Sequence, residues 1–251
     1  MSARTCIITG SGQGIGRAVA LHFASRGHQV ALAECNEAAA HAVAAEITAA
    51  GGKGIVAPTD VTDAASVNAC IERVISAFGR IDILINNARW SGLSPTPVQD
   101  LSDADWRQAM EVNVTGAFHC IRAATPHMIE AGWGRIINMS SATVRRPPSR
   151  PYVHYITSKA ALIGLTRSLA QELGRHGITV NAILPGAVET GVARPNGLSD
   201  ADREKNARAT QAIPRVLRSG DLAGAAFFLA SEEAGFITGQ SLAVDGGFSF
   251  G

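Results

Sequence analysis

The chain has 251 residues, 46% of them hydrophobic and 17% charged, with a formal net charge of +1. That length suits one α/β domain, spanning 1–251, and the composition excludes a disordered chain. Near-neutral charge gives no basis for a nucleic-acid or membrane-surface partner. Apolar runs stay short of the ~18 residues of a membrane span, and no signal peptide is expected ahead of the first strand. Four scattered cysteines (Cys6, Cys35, Cys70, Cys120) lack metal-ligand spacing, so a cytoplasmic protein with reduced thiols and no structural metal is expected.

The first predicted element is a β-branched run, Cys6 to Thr9, which breaks into glycines at Gly10, Gly12, Gly14 and Gly16 before an amphipathic helix from Arg17. A strand that turns through glycines into a helix N-terminus can hold a phosphate, because free N–H groups and the helix dipole both favour negative charge. Gly-x-Gly-x-x-Gly does not fit; the spacing is Thr-Gly-x-x-x-Gly-x-Gly, with Thr9, Gly10, Gly14 and Gly16. An ordinary tight turn could look the same, but its place directly after the first strand favours a dinucleotide.

A second strand, His28 to Ala33, ends at Glu34, about twenty residues on, where dinucleotide folds keep an acid for the adenosine ribose. An alanine-rich helix from Asn36 to Ala50 stops at Gly51-Gly52. A third strand, Lys53 to Pro58, leads to Asp60-Val61, and a helix with apolar residues at 3.6 spacing spans Asp63 to Phe78. Ile81 to Ile85 is a fourth strand, running into Asn86-Asn87-Ala88-Arg89. Ser102 starts a helical pattern that continues to about Ala131, long enough for two joined pieces. Arg135 to Met139 predicts the fifth strand, Pro151 to Arg175 a helix, and Ile178 to Leu184 the sixth strand. The polar stretch 189–215 resembles a lid. A helix from Asp221 to Leu229 and a strand at Ser241 to Val244 complete the chain.

Strands alternating with helices at this spacing predict a doubly wound parallel sheet, covered on both faces. The ligand belongs across the carboxyl ends of the strands. The glycine turn, Glu34, Asp60, Asn86, Ser141 and Pro185-Gly186 all fall there, and that shared placement outweighs any single motif.

Two tyrosines occur, Tyr152 and Tyr155, and Tyr155 alone has a lysine four residues on, Lys159, which puts both on one helical face. By itself the pair is as well read as a buried tyrosine beside a solvated lysine; Ser141, at the end of the preceding strand, favours chemistry. A phenol near pKa 10 must lose roughly three units to act as a base near neutrality, about 4 kcal/mol. One ammonium at about 4 Å supplies about that much at an effective dielectric of 20. Lysine can thus make tyrosine a general base while the serine hydroxyl orients the reacting oxygen.

Together, Thr9-Gly-x-x-x-Gly-x-Gly16, Asn86-Asn87-Ala88, Asn113, Ser141, Tyr155-x-x-x-Lys159 and Pro185-Gly186 resemble the short-chain dehydrogenase/reductase family in its compact form, over Arg4 to Gly247. The resemblance implies a Rossmann-like seven-stranded sheet of order 3-2-1-4-5-6-7, and usually a homotetramer. It implies that Tyr155 exchanges a proton with the substrate, that Ser141 holds the substrate oxygen, and that Lys159 binds the nicotinamide ribose. Asn113 is implied to seat the water of a proton relay. The implied cofactor track runs past Gly10, Gln13, Gly14, Ile15 and Gly16 to Glu34, Asp60 and Val61. It continues past Asn87 and Ala88, Tyr155 and Lys159, to Pro185, Gly186, Val188 and Thr190. Two departures stand out: Arg89 replaces the family's usual glycine, and Ser141 lies fourteen positions before Tyr155, one more than the commonest spacing.

Glu34 would repel a 2′-phosphate, and neither Cys35 nor Gln13 supplies a phosphate-binding base, so NAD is expected over NADP, with Arg17 as the contrary signal. The expected activity is interconversion of a secondary alcohol and a ketone. An NADPH-dependent 3-oxoacyl carrier-protein reductase is the alternative, favoured by Gly239-Gln-x-Leu-x-Val-Asp-Gly-Gly; a non-catalytic nucleotide sensor is a further one. Arg89, Trp90, Arg145 and Arg146 are candidate substrate contacts. With Arg194, Arg203 and Arg208 in the lid, these arginines suit a small-molecule substrate with an anionic group. Against that, Arg145 and Arg146 are adjacent and at most one reaches the pocket, Arg89 could equally brace the cofactor diphosphate, and the lid arginines could simply face solvent. Apolar surplus on the helices around 112–128 and 160–173 favours self-association.

Overall fold

A computed structural model of the chain describes residues 3–90, 92, 94–190 and 199–250. In chain order its main elements are β1 (Thr5–Thr9), α1 (Gly14–Ala24), β2 (Gln29–Glu34), α2 (Glu37–Ala49), β3 (Lys53–Pro58), α3 (Ala64–Phe78) and β4 (Ile83–Asn86). Next come α4 (Asp103–Met110), α5 (Gly116–Ala131), β5 (Gly134–Met139), α6 (Val153–Leu173) and β6 (Ile178–Pro185). The chain ends with β7 (Val188–Glu189), α7 (Asp200–Thr210), β8 (Leu217–Arg218), α8 (Ser219–Leu229) and β9 (Ser241–Val244).

Seven strands form one parallel sheet in the order β3-β2-β1-β4-β5-β6-β9. This is the expected topology; its last strand is numbered ninth because β7 and β8 pair as a separate two-stranded ribbon. That ribbon brackets the stretch expected to be a lid, of which 191–198, with Arg194, lie outside the described residues.

Alternation along the strands sorts the core into two layers. Cys6, Ile8, Ile83, Ile85, Ile137 and Met139 meet α1, α2 and α8 through Val19, Phe23, Val43, Ile47, Leu222 and Ala226. Ile7, Leu84 and Ile136 meet α3, α5 and α6 through Val67, Ile71, Val74, Ile121, Met128 and Leu173. Each fully buried side chain of this size contributes about 1.5–3 kcal/mol, so the alternation itself holds the register. No helix among the described residues is long and apolar enough to cross a membrane.

Caps define several helix starts. Asn36 accepts from the N–H of Ala39, Asp63 from Ala65 and Ser102 from Asp105. The pattern from Ser102 to Ala131 is two helices, as expected, but their junction is a π-helical turn, Glu111–Thr115. The fourth strand begins at Ile83 rather than Ile81, because Asp82 is used as a clamp. Its fully buried carboxylate accepts from Thr5 N–H (2.8 Å), Arg4 Nη1 (3.2 Å) and Arg80 Nη2 (2.5 Å). Arg4 also lies over the Trp133 ring at 3.9 Å, with Arg135 over the same ring at 4.2 Å. These contacts close the sheet's amino end and leave the carboxyl end to the loops. Removing the Asp82 carboxylate strands a buried N–H and takes an ion-pair partner from Arg4 and from Arg80. Asp82→Ala should therefore lower the urea midpoint, with a loss of about 2–4 kcal/mol and an unchanged m-value.

Candidate active site

Every strand of the main sheet runs the same way, so the predicted site residues emerge at one end of it. Gly10 follows β1, Glu34 ends β2, Asp60 and Val61 follow β3, and Asn87 to Trp90 follow β4. Ser140 and Ser141 follow β5, and Gly186 follows β6. The order reverses between β1 and β4, where such sheets take their ligands.

The first turn is built by missing side chains. Gly10 has φ 62°, and a Cβ on it would stand 2.9 Å from Ala88 Cα. A Cβ on Gly16 would stand 2.2 Å from the Gly10 oxygen, so α1 starts in direct backbone contact with the strand exit. The α1 N-terminus has no side-chain cap and no acidic residue in its first turn. Its orphan N–H groups and positive dipole end suit an anion such as a diphosphate. Glu34 faces this turn: its Oε2 accepts the Gly12 N–H at 2.9 Å, and its Oε1 the Asn36 N–H at 3.0 Å. Arg17 is held on the helix surface by an ion pair with Glu46, its Nε 3.0 Å from Oε1. The residues present therefore fit the diphosphate of a dinucleotide.

Beside the turn, Asp60 caps its own loop, accepting from the Thr62 N–H (2.9 Å) and hydroxyl (2.7 Å). Val61 is buried and its carbonyl is 3.1 Å from His119 Nδ1. The Asn87 amide donates to the Thr9 and Gly10 carbonyls, both at 2.9 Å. Asn113, in the π-helical turn, accepts the Trp90 N–H (2.8 Å) and donates to Ser158 Oγ (2.9 Å). Ser158 in turn donates to the Tyr155 carbonyl at 2.8 Å. Asn113 thus ties the loop after β4 to α6. Val188 and Thr190, half-buried, lie at the ribbon that follows Pro185 and Gly186.

Ser141, Tyr155 and Lys159 lie where α6 crosses the end of β5. Ser141 is 5% exposed and its oxygen accepts from Thr143 Oγ1 at 2.9 Å and Thr143 N–H at 3.3 Å, which leaves its own proton to donate. Ser140, the alternative, gives its hydroxyl to the Lys159 carbonyl at 2.8 Å. Lys159 is buried; its Nζ donates to the Met139 carbonyl at 2.7 Å and lies 6.0 Å from the Tyr155 ring centre. Burial, and then the charge of Arg89, lower the Lys159 pKa to about 7.

Arg145 and Arg146 do not converge on this centre. Arg145 Nη2 donates to the Ser241 carbonyl at 2.7 Å and Arg146 Nη1 to the Phe248 carbonyl at 2.9 Å, so both expected substrate contacts are engaged by the C-terminal segment. The turn after Ser141 carries both past the site toward the C-terminal segment. Arg203 pairs with Glu189, and Arg208 lies 3.9 Å from Glu204. Arg89 remains at the site, exposed, with Nη1 3.3 Å from the Trp90 carbonyl.

Three residues escaped the sequence reading. Asn138 inside β5 links Asn86 (2.9 Å) to Thr166 of α6 (2.9 Å); a polar residue amid a strand's apolar run was the available signal. Gly116 lets α5 approach Val61, since a Cβ there would lie 2.7 Å from Val61 Cγ2. His154, next to Tyr155, is 1% exposed, packs edge-on against Trp90 at 5.6 Å, and has its pKa lowered by burial against the opposing charge of Asp105.

A family model described as enoyl-(acyl carrier protein) reductase matches residues 10–249. The chain is 39% identical over 253 residues to a 2,5-dichloro-2,5-cyclohexadiene-1,4-diol dehydrogenase of Sphingobium indicum, covering 99% of this chain and 98% of that one. It is 37% identical over 247 residues to the 3-oxoacyl-[acyl-carrier-protein] reductase FabG of Staphylococcus aureus, covering 97% of each. Among solved structures, a doubly substituted short-chain dehydrogenase/reductase of Serratia marcescens superposes with a TM-score of 0.89 at 37% identity, covering 98% of both chains.

The Lys159 environment has a measurable consequence for stability. Its folded pKa of about 7 lies below the 10.5 of an unperturbed lysine, so the unfolded chain binds more protons between those values. Stability from this residue is complete above the upper value and is lost as pH falls through about 7. Without ligand, Lys159→Met should be more stable than wild type at pH 7, with the difference shrinking toward pH 10 in denaturant titrations. A difference independent of pH would contradict the assignment.

Proposed function

The chain belongs to the short-chain dehydrogenase/reductase family, oxidoreductases acting on CH–OH groups with a nicotinamide cofactor, and on that premise we propose that it interconverts a secondary alcohol and a ketone using NAD. The observation that carries the reaction is the meeting of Ser141, Tyr155 and a buried Lys159 at the end of β5. What supports NAD over NADP is Glu34 facing the glycine turn while Arg17 is engaged by Glu46.

In this reading the first turn, Glu34, Asp60, Val61, Asn87 and Ala88 hold the adenosine and diphosphate half. Lys159, Pro185, Gly186, Val188 and Thr190 hold the nicotinamide half. Bound along them, NAD supplies the ring that accepts a hydride from the alcohol carbon. Tyr155 takes the hydroxyl proton at its phenolic oxygen. Ser141, whose oxygen already accepts from Thr143, donates its proton to the substrate oxygen and orients it. Lys159, even part-charged, favours the phenolate, and Asn113, whose side-chain amide donates to Ser158 of α6, is proposed to seat the water of a proton relay. Reduction of a ketone runs the same proton steps in reverse.

Arg89 is the proposed contact for an anionic group on the substrate, and the segment 189–215 the lid over it. The FabG relative, with a C-terminal Gly239-Gln-x-Leu-x-Val-Asp-Gly-Gly pattern in this chain that resembles that subgroup, favours a second reading, an NADPH-dependent reduction of 3-oxoacyl groups.

One kinetic series separates these readings. Tyr155→Phe should lower turnover by about 10²–10⁴-fold while NAD binding persists; near-normal turnover would end the catalytic assignment. Wild type should prefer NAD over NADP by about 100-fold in kcat/KM, equivalent to about 2.7 kcal/mol. Comparable efficiencies would instead favour the reductase.

A homotetramer is part of the same proposal. It is supported by apolar side chains left exposed on α5 (Phe118, Ile129), at the start of α6 (Val153), and on α8 and β9 (Phe228, Leu242). Equilibrium sedimentation should return the mass of four chains. A single species at the mass of one chain would exclude the assembly.

A further inference from the structure

The segment after β9 is wound around a buried carboxylate. Asp245, 3% exposed, accepts from the N–H groups of Gly247 (3.0 Å), Phe248 (3.2 Å) and Ser249 (3.0 Å), and from the Ser249 hydroxyl (2.6 Å). Gly246 and Gly247 make the turn possible, with φ of 68° and 76°. Four donors on one carboxylate, enclosed by protein, give this turn a single conformation.

Three neighbouring segments are fastened to it. The Gly186 N–H donates to the Val244 carbonyl at 3.2 Å, and a Cβ on Gly186 would lie 3.0 Å from Asp245 Cβ. The arm leaving α7 sits on the other side: the Ile213 N–H donates to the Gly246 carbonyl at 2.8 Å, and a Cβ on Gly247 would lie 2.7 Å from Ala212 Cβ. The third is the turn begun by Ser141. There the N–H groups of Arg145 and Arg146 both donate to the Ala142 carbonyl at 3.0 Å. From that turn Arg146 reaches the Phe248 carbonyl at 2.9 Å and lies over the Phe248 ring at 4.5 Å, while Arg145 holds the Ser241 carbonyl at 2.7 Å.

We propose that the turn 245–249 is a common brace for the two walls of the substrate site, and that Arg146, acting through Phe248, is a positioning residue for Ser141. This rests on the reading of Ser141 and Tyr155 as the reacting pair. A guanidinium suits the task because it can donate in its plane to a carbonyl while its face covers an aromatic ring. The brace links the serine turn to the arm after α7 without passing through the core. The glycine turn and Glu34, four and five strands away across the sheet, are outside it. Loosening it therefore affects the alcohol and not the adenosine half of the cofactor.

The test uses the full chain as wild type, Arg146→Ala, Arg146→Lys, Phe248→Ala and the Arg146→Ala/Phe248→Ala double variant. Hydrogen exchange without ligand is the readout independent of turnover. Residues 141–150 and 211–218 should exchange faster in both alanine variants, with 5–34 unchanged. Unchanged exchange at 211–218 in Arg146→Ala overturns the brace, whatever the enzyme oxidises. With NAD and an accepted alcohol, each alanine variant should raise the alcohol KM about tenfold, while the NAD KM stays within about twofold. The double variant should be no worse than Arg146→Ala, because Phe248→Ala removes only the ring contact of a link that Arg146→Ala removes whole, and Arg146→Lys should recover most of the loss. Additive effects, or equal losses for alcohol and NAD, refute a positioning role. If wild type oxidises no alcohol, the proposed reaction falls and the exchange data alone decide the brace.

Discussion

Asn87 puts one amide nitrogen between the carbonyls of Thr9 and Gly10, while the Thr9 hydroxyl accepts the N–H groups of Asn87 and Ala88, all at 2.9 Å. This knot joins β1 and β4 at the point where the sheet's winding reverses, and most of the site is measured from it. It depends on bare backbone at Gly10 and Gly16, since a Cβ at 16 would collide with both the Gly10 carbonyl and the Asn87 amide. With those atoms absent, α1 presents its uncapped end at the exit of β1, and Glu34 can bridge across to Gly12. Any larger residue at these points would separate the helix from the strand and open the knot.

The other half of the site is set by polar ties between α6 and the β5 region. Asn138 reaches Thr166, Ser140 reaches the Lys159 carbonyl, and Lys159 itself reaches back to the Met139 carbonyl. Buried polar groups of this kind specify one arrangement of helix on strand, where apolar packing alone tolerates several. The Lys159 amine is the expensive member, desolvated and close enough to Arg89 to feel its charge. A local cost retained against stability is what a reacting centre looks like physically.

Much of this was legible because the information is local. Strand and helix periods, the glycines at 10, 14 and 16, and the Tyr155–Lys159 spacing each declare themselves within a few residues, and parallel winding then gathers the strand ends. What was hidden depended on distant partners. Nothing near Arg145 or Arg146 announces that Ser241 and Phe248 will accept their protons, so two basic residues beside Ser141 read as substrate ligands. The π-helical turn at Glu111–Thr115 has no period of its own, and the β7–β8 ribbon is too short to show alternation. His154 looked like any helix residue until burial and the Trp90 contact gave it a place.

The ion pair between Arg17 and Glu46 bears on how this chain could diverge. Arg17 sits one residue beyond the last glycine of the turn, with a side chain long enough to move, and what restrains it is a carboxylate on the outer face of α2. The pair is solvent-exposed, worth little energetically, and weakened by salt. Two single-codon-scale changes, neutralising Glu34 and Glu46, would remove the acid that repels a phosphate and release a guanidinium to greet one. On the proposed NAD reading, cofactor choice would hang on two carboxylates outside the core, so a descendant could exchange one nucleotide pool for the other without rebuilding its fold.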